Sequence, residues 1–211
     1  MSWGAPVATA PGAVIALHGR EQTPAFIRSV CNRIGLAGLA WLAPAAAEKS
    51  WYPRAFTAPL ADNEPGLTHS LERIESLVRE LLAAGHERQH IALLGFSQGA
   101  CMVAEYALRH PHRFGALVIL TGSSIGPAGT TWPLAGDLAG TPVLVSGSTR
   151  DAWVPLARMR QTAVLLKDRG ARVREYYYSG DEHIVNEDEI GMARQMLAAL
   201  QDRSSPREAV A

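Results

Sequence analysis

Short apolar runs alternate with longer stretches of helical periodicity along almost the whole chain. The apolar runs fall at 13–17, 38–43, 90–94, 116–120, 141–146 and 173–178. Most are continuous rather than alternating, which is the pattern of strands covered on both faces. Helical spacing fills the gaps at about 24–36, 65–84, 98–109, 155–169 and 186–201. Gly85, Pro111 and Gly170 supply stop signals after the second, third and fourth of these. The alternation predicts βαβ units around an interior, mostly parallel sheet of about six strands flanked by helices, an α/β fold.

Two stretches, 44–65 and 122–140, fit neither pattern and are rich in Pro, Gly and Ala. Each leaves a strand, and in open parallel sheets the loops at the carboxyl ends of strands carry ligand sites. Only about twenty residues separate the strand ending near Leu120 from the next, too few for a helical cap. The expected site is therefore a shallow cleft walled by loops. No repeat or linker divides the chain, so residues 1–211 read as one domain with a core at about 13–201. The ends, 1–12 and 202–211, read as frayed and dispensable tails.

Composition narrows the function classes. With 211 residues and 47% hydrophobic side chains, one core suffices without disulfides or a structural metal. The 2 cysteines, Cys31 and Cys101, lie in apolar helical patterns and read as free thiols in a reducing compartment. Lys and Arg total 20 against 20 Asp and Glu, with the signs interspersed, which argues against a nucleic-acid partner. No apolar run approaches the ~20 residues of a transmembrane segment, and the amino terminus lacks a leader pattern. The expected setting is cytoplasmic.

The chemistry concentrates in HIALLGFSQGA at 90–100. Here Gly95-Phe96-Ser97-Gln98-Gly99 joins a buried strand directly to a helical pattern. G-x-S-x-G in that context is a strained turn that presents Ser97 above the sheet, next to a helix N-terminus. A serine hydroxyl needs an imidazole base and a carboxylate to orient it. Among seven histidines, solvated or capping roles suit His69, His86, His110 and His112, while His90 begins a strand at the wrong end. His18 ends the first strand but precedes the serine. His183 follows the last strand and precedes the last helix, in the chain order Ser, acid, His. For the acid, Asp151 follows the 141–146 strand by a short turn. Asp137 and Asp168 read as solvated, and Asp181 and Glu182 as neighbours that tune His183. At the first strand, His18-Gly19-Arg20 places a backbone N–H where it can pair with that of Gln98 in an oxyanion hole.

Together these residues resemble the phospholipase/carboxylesterase family of α/β hydrolases, which includes acyl-protein thioesterases and small carboxylesterases. The resemblance rests on LHG at 17–19, Ser50-Trp51-Tyr52, NEPGLTHSLERIESLV at 63–78, LGFSQGA at 94–100, D-x-x-V-P at 151–155 and Gly180-x-x-His183. It implies a minimal α/β-hydrolase fold without a cap domain, with Ser97 as nucleophile, His183 as base and Asp151 as its orienter. It also implies the backbone N–H groups of Arg20 and Gln98 as the oxyanion hole. This chain departs from the family at Glu21, where relatives commonly carry glycine, and the departure bears on the path of the loop that holds Arg20.

The expected activity is hydrolysis of carboxylic esters or thioesters with short to medium acyl chains through an acyl-enzyme, with no cofactor and no metal. Trp51, Tyr52, Phe56 and Trp153 either wall the acyl site or simply anchor their loops. Lysophospholipase or acyl-protein thioesterase activity is the neighbouring alternative, and a catalytically dead binding module the more distant one. The expected partner is a small-molecule ester or thioester, with a homodimer as an open alternative to the monomer.

Overall fold

The apolar runs become a sheet because alternate side chains of each strand enter two different helical layers. In the computed structural model, which describes residues 1–132 and 136–202, Ile15, Leu17, Leu93 and Ile119 join one apolar cluster. Their neighbours Val14, Ala16, Leu94 and Val118 join a second cluster on the opposite face. Both faces being dry, these strands carry no polar alternation, as their sequence implies.

The described residues hold seven strands: β1 (Ser2–Gly4), β2 (Ala13–Leu17), β3 (Ala40–Leu42), β4 (Ile91–Phe96), β5 (Ala116–Leu120), β6 (Pro142–Ser148) and β7 (Arg172–Tyr178). They also hold five α-helices: α1 (Pro24–Ile34), α2 (Gly66–Ala83), α3 (Gln98–Arg109), α4 (Leu156–Asp168) and α5 (Glu187–Ala198). The sheet order is β1-β3-β2-β4-β5-β6-β7, with every pairing parallel except that of β1 with β3. Helices α2, α3 and α4 cover one face, and α1 and α5 the other. The strand order reverses between β2 and β4, so a crevice opens at their carboxyl ends, the usual place for a ligand in such sheets. No helix among the described residues is long and apolar enough to cross a membrane.

Each expected helix forms, within three residues of its sequence-based ends. Two expectations need correction. The sheet has one strand more than expected, and that strand lies in the segment read as a dispensable tail. Ser2–Gly4 pairs antiparallel with β3, Ala5 N donates to Leu39 O at 3.0 Å, and Trp3 stacks on Trp41 with centroids 5.9 Å apart. Arg28 lies over the Trp3 ring, at 5.6 Å. Three residues are too few to show periodicity, and their partner lies almost forty positions away, so local sequence carries no strand signal. Of the other expected tail, residues 203–211 lie outside the described residues. Edge strand β7 also differs from a fully buried run, since its residues are exposed or half-buried.

Trp3→Ala removes the stack and part of the edge cover. It should cost about 1–2 kcal/mol, aromatic pairs contributing about 0.5–1.5 kcal/mol beyond the area they bury. For a chain of this size that lowers Tm by roughly 2–8 °C. A melting curve indistinguishable from the parent's would show that the segment is indeed dispensable.

Candidate active site

The turn after β4 is built from small residues because three backbones meet there. A Cβ on Gly99 would run into the Leu17 carbonyl and stand 2.6 Å from that of His18, while one on Gly95 would collide with the backbone of Gly99. With those positions bare, α3 starts directly beneath the end of β2. Ser97 is held at φ 55, ψ −121, a conformation rare for any residue but glycine. Its N–H donates to Leu120 O at 3.0 Å and its carbonyl accepts from Cys101 N at 3.0 Å, so the strained residue is fixed from both sides.

The structure brings Ser97, His183 and Asp151 together from the ends of β4, β7 and β6. His183 Nε2 lies 2.8 Å from Ser97 Oγ, and His183 Nδ1 lies 2.7 Å from Asp151 Oδ2. Asp151 is only 6% exposed, and its Oδ1 accepts the N–H groups of Trp153 and Val154, both at 2.8 Å. An ionised carboxylate so surrounded accepts from every side, so His183 donates from Nδ1 and leaves Nε2 to accept the serine proton. The Phe96 ring packs 5.1 Å from the imidazole. Asp137, Asp168, Asp181 and Glu182 are all exposed, and none bonds to His183 among the described residues.

A cleft of about 660 Å³ opens on this row, within the size range of small-molecule sites. Tyr52, Phe56, Cys101 and Val154 line it, with Trp153 at its rim, 73% exposed. The fourth expected wall residue, Trp51, is not among the lining residues. At 1% exposure it lies in the core, where its indole N–H donates to His18 O at 2.7 Å. Periodicity could have identified Cys101 as a lining residue, since it lies four positions after Ser97 on one helix face.

Arg20 and Gln98 lie at the two sides of the serine. Their main-chain N–H groups carry no hydrogen bond within the protein among the described residues. Glu21, the departure from the family pattern, takes φ 61, the left-handed conformation that suits glycine, and its N–H donates to Lys49 O at 2.8 Å. The side chain thus tolerates glycine's backbone path at this position.

Two histidines are buried where sequence suggested otherwise or left the role open. His86, read as solvated or capping, is buried, with Nε2 2.8 Å from Val7 O. His18 supports the loop that carries Arg20: Nε2 accepts Ala46 N–H at 3.2 Å, which leaves Nδ1 to donate to Gly19 O at 2.7 Å. A further signal for the placement of His183 lies in the sequence at Asn186-x-x-Glu189. These residues close a capping box at the start of α5, each side chain bonding the other's backbone N–H at 2.9 Å. Glu189 also accepts from Ser146 Oγ at 2.7 Å, tying that cap to β6. Among the described residues no group of three or more His, Cys, Asp and Glu side chains is arranged to hold a metal ion.

Comparison with known proteins places the fold and the family. The family described as Phospholipase/Carboxylesterase matches residues 9–201. The crystal structure of a phospholipase/carboxylesterase from Dyadobacter fermentans is 35% identical, covers 94% of this chain and 95% of its own, and superposes with a TM-score of 0.89. A carboxylesterase from Mesorhizobium loti, 20% identical over 91% of each chain, shares the fold with a TM-score of 0.74. Acyl-protein thioesterase 1 of Eremothecium gossypii is 32% identical over 93 residues, which span 43% of this chain and 38% of that protein.

The His18 contacts generate a pH prediction. Burial holds its imidazole below the usual value of 6.5, against the smaller opposing effect of the Gly19 hydrogen bond. Protonation would set a second N–H against that of Ala46. The unfolded state therefore binds more protons than the folded one as pH falls below about 6.5, and stability declines through that window. His110 acts in the same direction through its burial, and Glu189, whose carboxyl is pushed up by burial, acts in the opposite one. The informative comparison is thus between parent and His18→Gln, by urea unfolding at about pH 7.5 and 5.5. The parent should lose more stability on acidification than the variant, and an equal loss would contradict the assignment.

Proposed function

The chain belongs to the phospholipase/carboxylesterase family, and on that premise we propose that it hydrolyses carboxylic esters or thioesters of short to medium acyl chains through an acyl-enzyme. The observation that carries the proposal is the continuous row from Ser97 Oγ through His183 to Asp151, at 2.8 and 2.7 Å, opening on an apolar cleft. Ser97 Oγ attacks the carbonyl carbon as His183 Nε2 takes its proton, and Asp151 steadies the imidazolium. The amides of Arg20 and Gln98 receive the carbonyl oxygen as it becomes an oxyanion. His183 returns the proton to the leaving alcohol or thiol. Water, deprotonated by the same imidazole, then attacks the acyl-serine and frees the acid.

The openness of the cleft supports the shorter chains, because no cap covers it among the described residues and a long chain would project into solvent. The partial likeness to acyl-protein thioesterase 1 keeps a long-chain deacylase as the second reading. The buried free thiols of Cys31 and Cys101 support a reducing, cytoplasmic setting.

A fluorophosphonate probe should label the protein once, at Ser97, and Ser97→Ala should lose both label and turnover. Labelling that persists in the variant would sink the nucleophile. Asp151→Asn should lower kcat on the order of 10⁴-fold, as when the tautomer-fixing carboxylate is removed elsewhere, whereas Asp137→Asn and Asp181→Asn should stay active. With acyl esters of increasing length, kcat/KM should rise about fourfold per carbon while each methylene is buried, at about 0.8 kcal/mol each, and then flatten. A steady rise to the longest chains would promote the second reading over the first.

A further inference from the structure

The two amides proposed as oxyanion donors come from different elements, one from the loop after β2 and one from the first turn of α3. Something must set their spacing. The segment 50–54, whose Tyr52, Pro53 and Arg54 wall the cleft, touches both residues. The Arg20 guanidinium donates from Nη1 to Pro53 O at 3.0 Å and from Nη2 to Tyr52 O at 2.9 Å and Arg54 O at 2.5 Å, and it lies 5.7 Å from the Tyr52 ring centre. The Gln98 side chain, on the other side, accepts Trp51 N–H at 3.0 Å and donates to Tyr52 O at 2.8 Å and Ser50 Oγ at 3.2 Å. One carbonyl, that of Tyr52, therefore receives both side chains.

We propose that the Arg20 and Gln98 side chains act as positioning residues, forming one clasp on residues 50–54 that holds their own backbone N–H groups at the spacing the oxyanion requires. The proposal rests on the hydrolase reading above. The clasped segment is a fixed reference, because Trp51 is pinned through its indole to His18 O, its carbonyl accepts from Ser70 Oγ, and Arg54 N–H is held by the buried side chain of Asn63. The loop carrying Arg20 is not fixed in the same way. Its own ties are a turn bond from Gln22 N to Gly19 O at 3.2 Å and one from Glu21 N to Lys49 O at 2.8 Å, while Arg20 and Glu21 are exposed and Glu21 occupies left-handed backbone, so the Arg20 side chain adds the tie that joins this loop to residues 52–54. Guanidinium suits this task because its rigid planar fork spreads its donors over three carbonyls, whereas an ammonium is a compact charge on a flexible stem that loses more freedom for each bond it makes. Release of the clasp leaves the triad intact and lets the donors drift from the 2.7–3.1 Å range in which they stabilise an oxyanion.

The test compares Arg20→Met, Arg20→Lys, Gln98→Met and the Arg20→Met/Gln98→Met double variant with the parent, using p-nitrophenyl butyrate and a butyl trifluoromethyl ketone, which forms a hemiketal oxyanion on the serine. Melting curves and fluorophosphonate labelling report the folded, reactive fraction to which each kcat is normalised. Arg20→Met should lower kcat by about 10²-fold, the scale of losing one oxyanion donor, with KM within about threefold and ketone affinity falling in parallel with kcat. Arg20→Lys should recover little of that loss. Since both side chains hold one segment, the double variant should lose less than the product of the single losses. Unchanged kcat in Arg20→Met would overturn the clasp, as would a loss confined to KM with ketone affinity intact, or strictly multiplicative losses. A parent that neither turns over the ester nor binds the ketone would instead overturn the hydrolase reading beneath it.

Discussion

The close crossing of β2, β4 and the first turn of α3 is the constraint from which the site follows. Helix α3 begins one residue after Ser97, and the end of β2 lies against Gly99, so no side chain fits at Gly95 or Gly99. This approach puts the serine, the α3 N-terminus and the loop after β2 in one small volume. It also places the strain at Ser97, where φ 55 is maintained by backbone bonds to Leu120 and Cys101 rather than by any preference of serine itself. Widening the crossing by one methyl group would move the β2 loop, and with it Arg20, away from the serine. Core packing on both faces of the sheet supplies the energy that keeps the crossing tight.

What is legible in the sequence follows from how locally each feature is encoded. The strand-turn-helix at 91–109 is contiguous, and its glycines mark the crossing directly, so the amino-acid order alone locates Ser97. His183 and Asp151 follow from topology instead, because an α/β sheet puts the loops after successive strands on one edge, and the fold does bring both to Ser97. Trp51 shows where this reasoning stops. Loop aromatics have no period to say which way they point, and Trp51 turns into the core while Tyr52, its neighbour, lines the cleft. Strand β1 escapes for a related reason, because its only pairing partner is distant in sequence. Sequence likewise fails at His18 and His86, since a buried neutral histidine and a solvated one look alike until their backbone partners are known.

The edge that carries the site is made of loops, and loops lack ladder partners for their N–H and C=O groups. Buried backbone groups must find partners somewhere. Here they find them in buried polar side chains. Asn63 binds both Arg54 N and Ala55 O, and Glu105 accepts Ile125 N. Arg158 donates to Ser124 O and Gly126 O while lying over the Phe56 ring at 5.4 Å, so the same bonds that satisfy the 122–126 loop also fix a wall of the cleft.

This arrangement bears on how a cleft without a cap among the described residues can still be preorganised. A cap fixes a substrate by closing over it and excluding water. An uncapped cleft has to hold its catalytic geometry beforehand, because binding a short acyl chain supplies little energy for rearrangement. Side-chain ties to loop backbone meet that need, as each one removes a hinge from the loop and costs no folding step at the moment of reaction. The buried polar residues outside the row of Ser97, His183 and Asp151 are therefore better understood as the frame of the site than as general stabilisers of the fold. Their positions agree with that role. Gln98 and Asn63 both bind loops at the carboxyl edge of the sheet, whereas the middle of the sheet is sealed by aliphatic side chains.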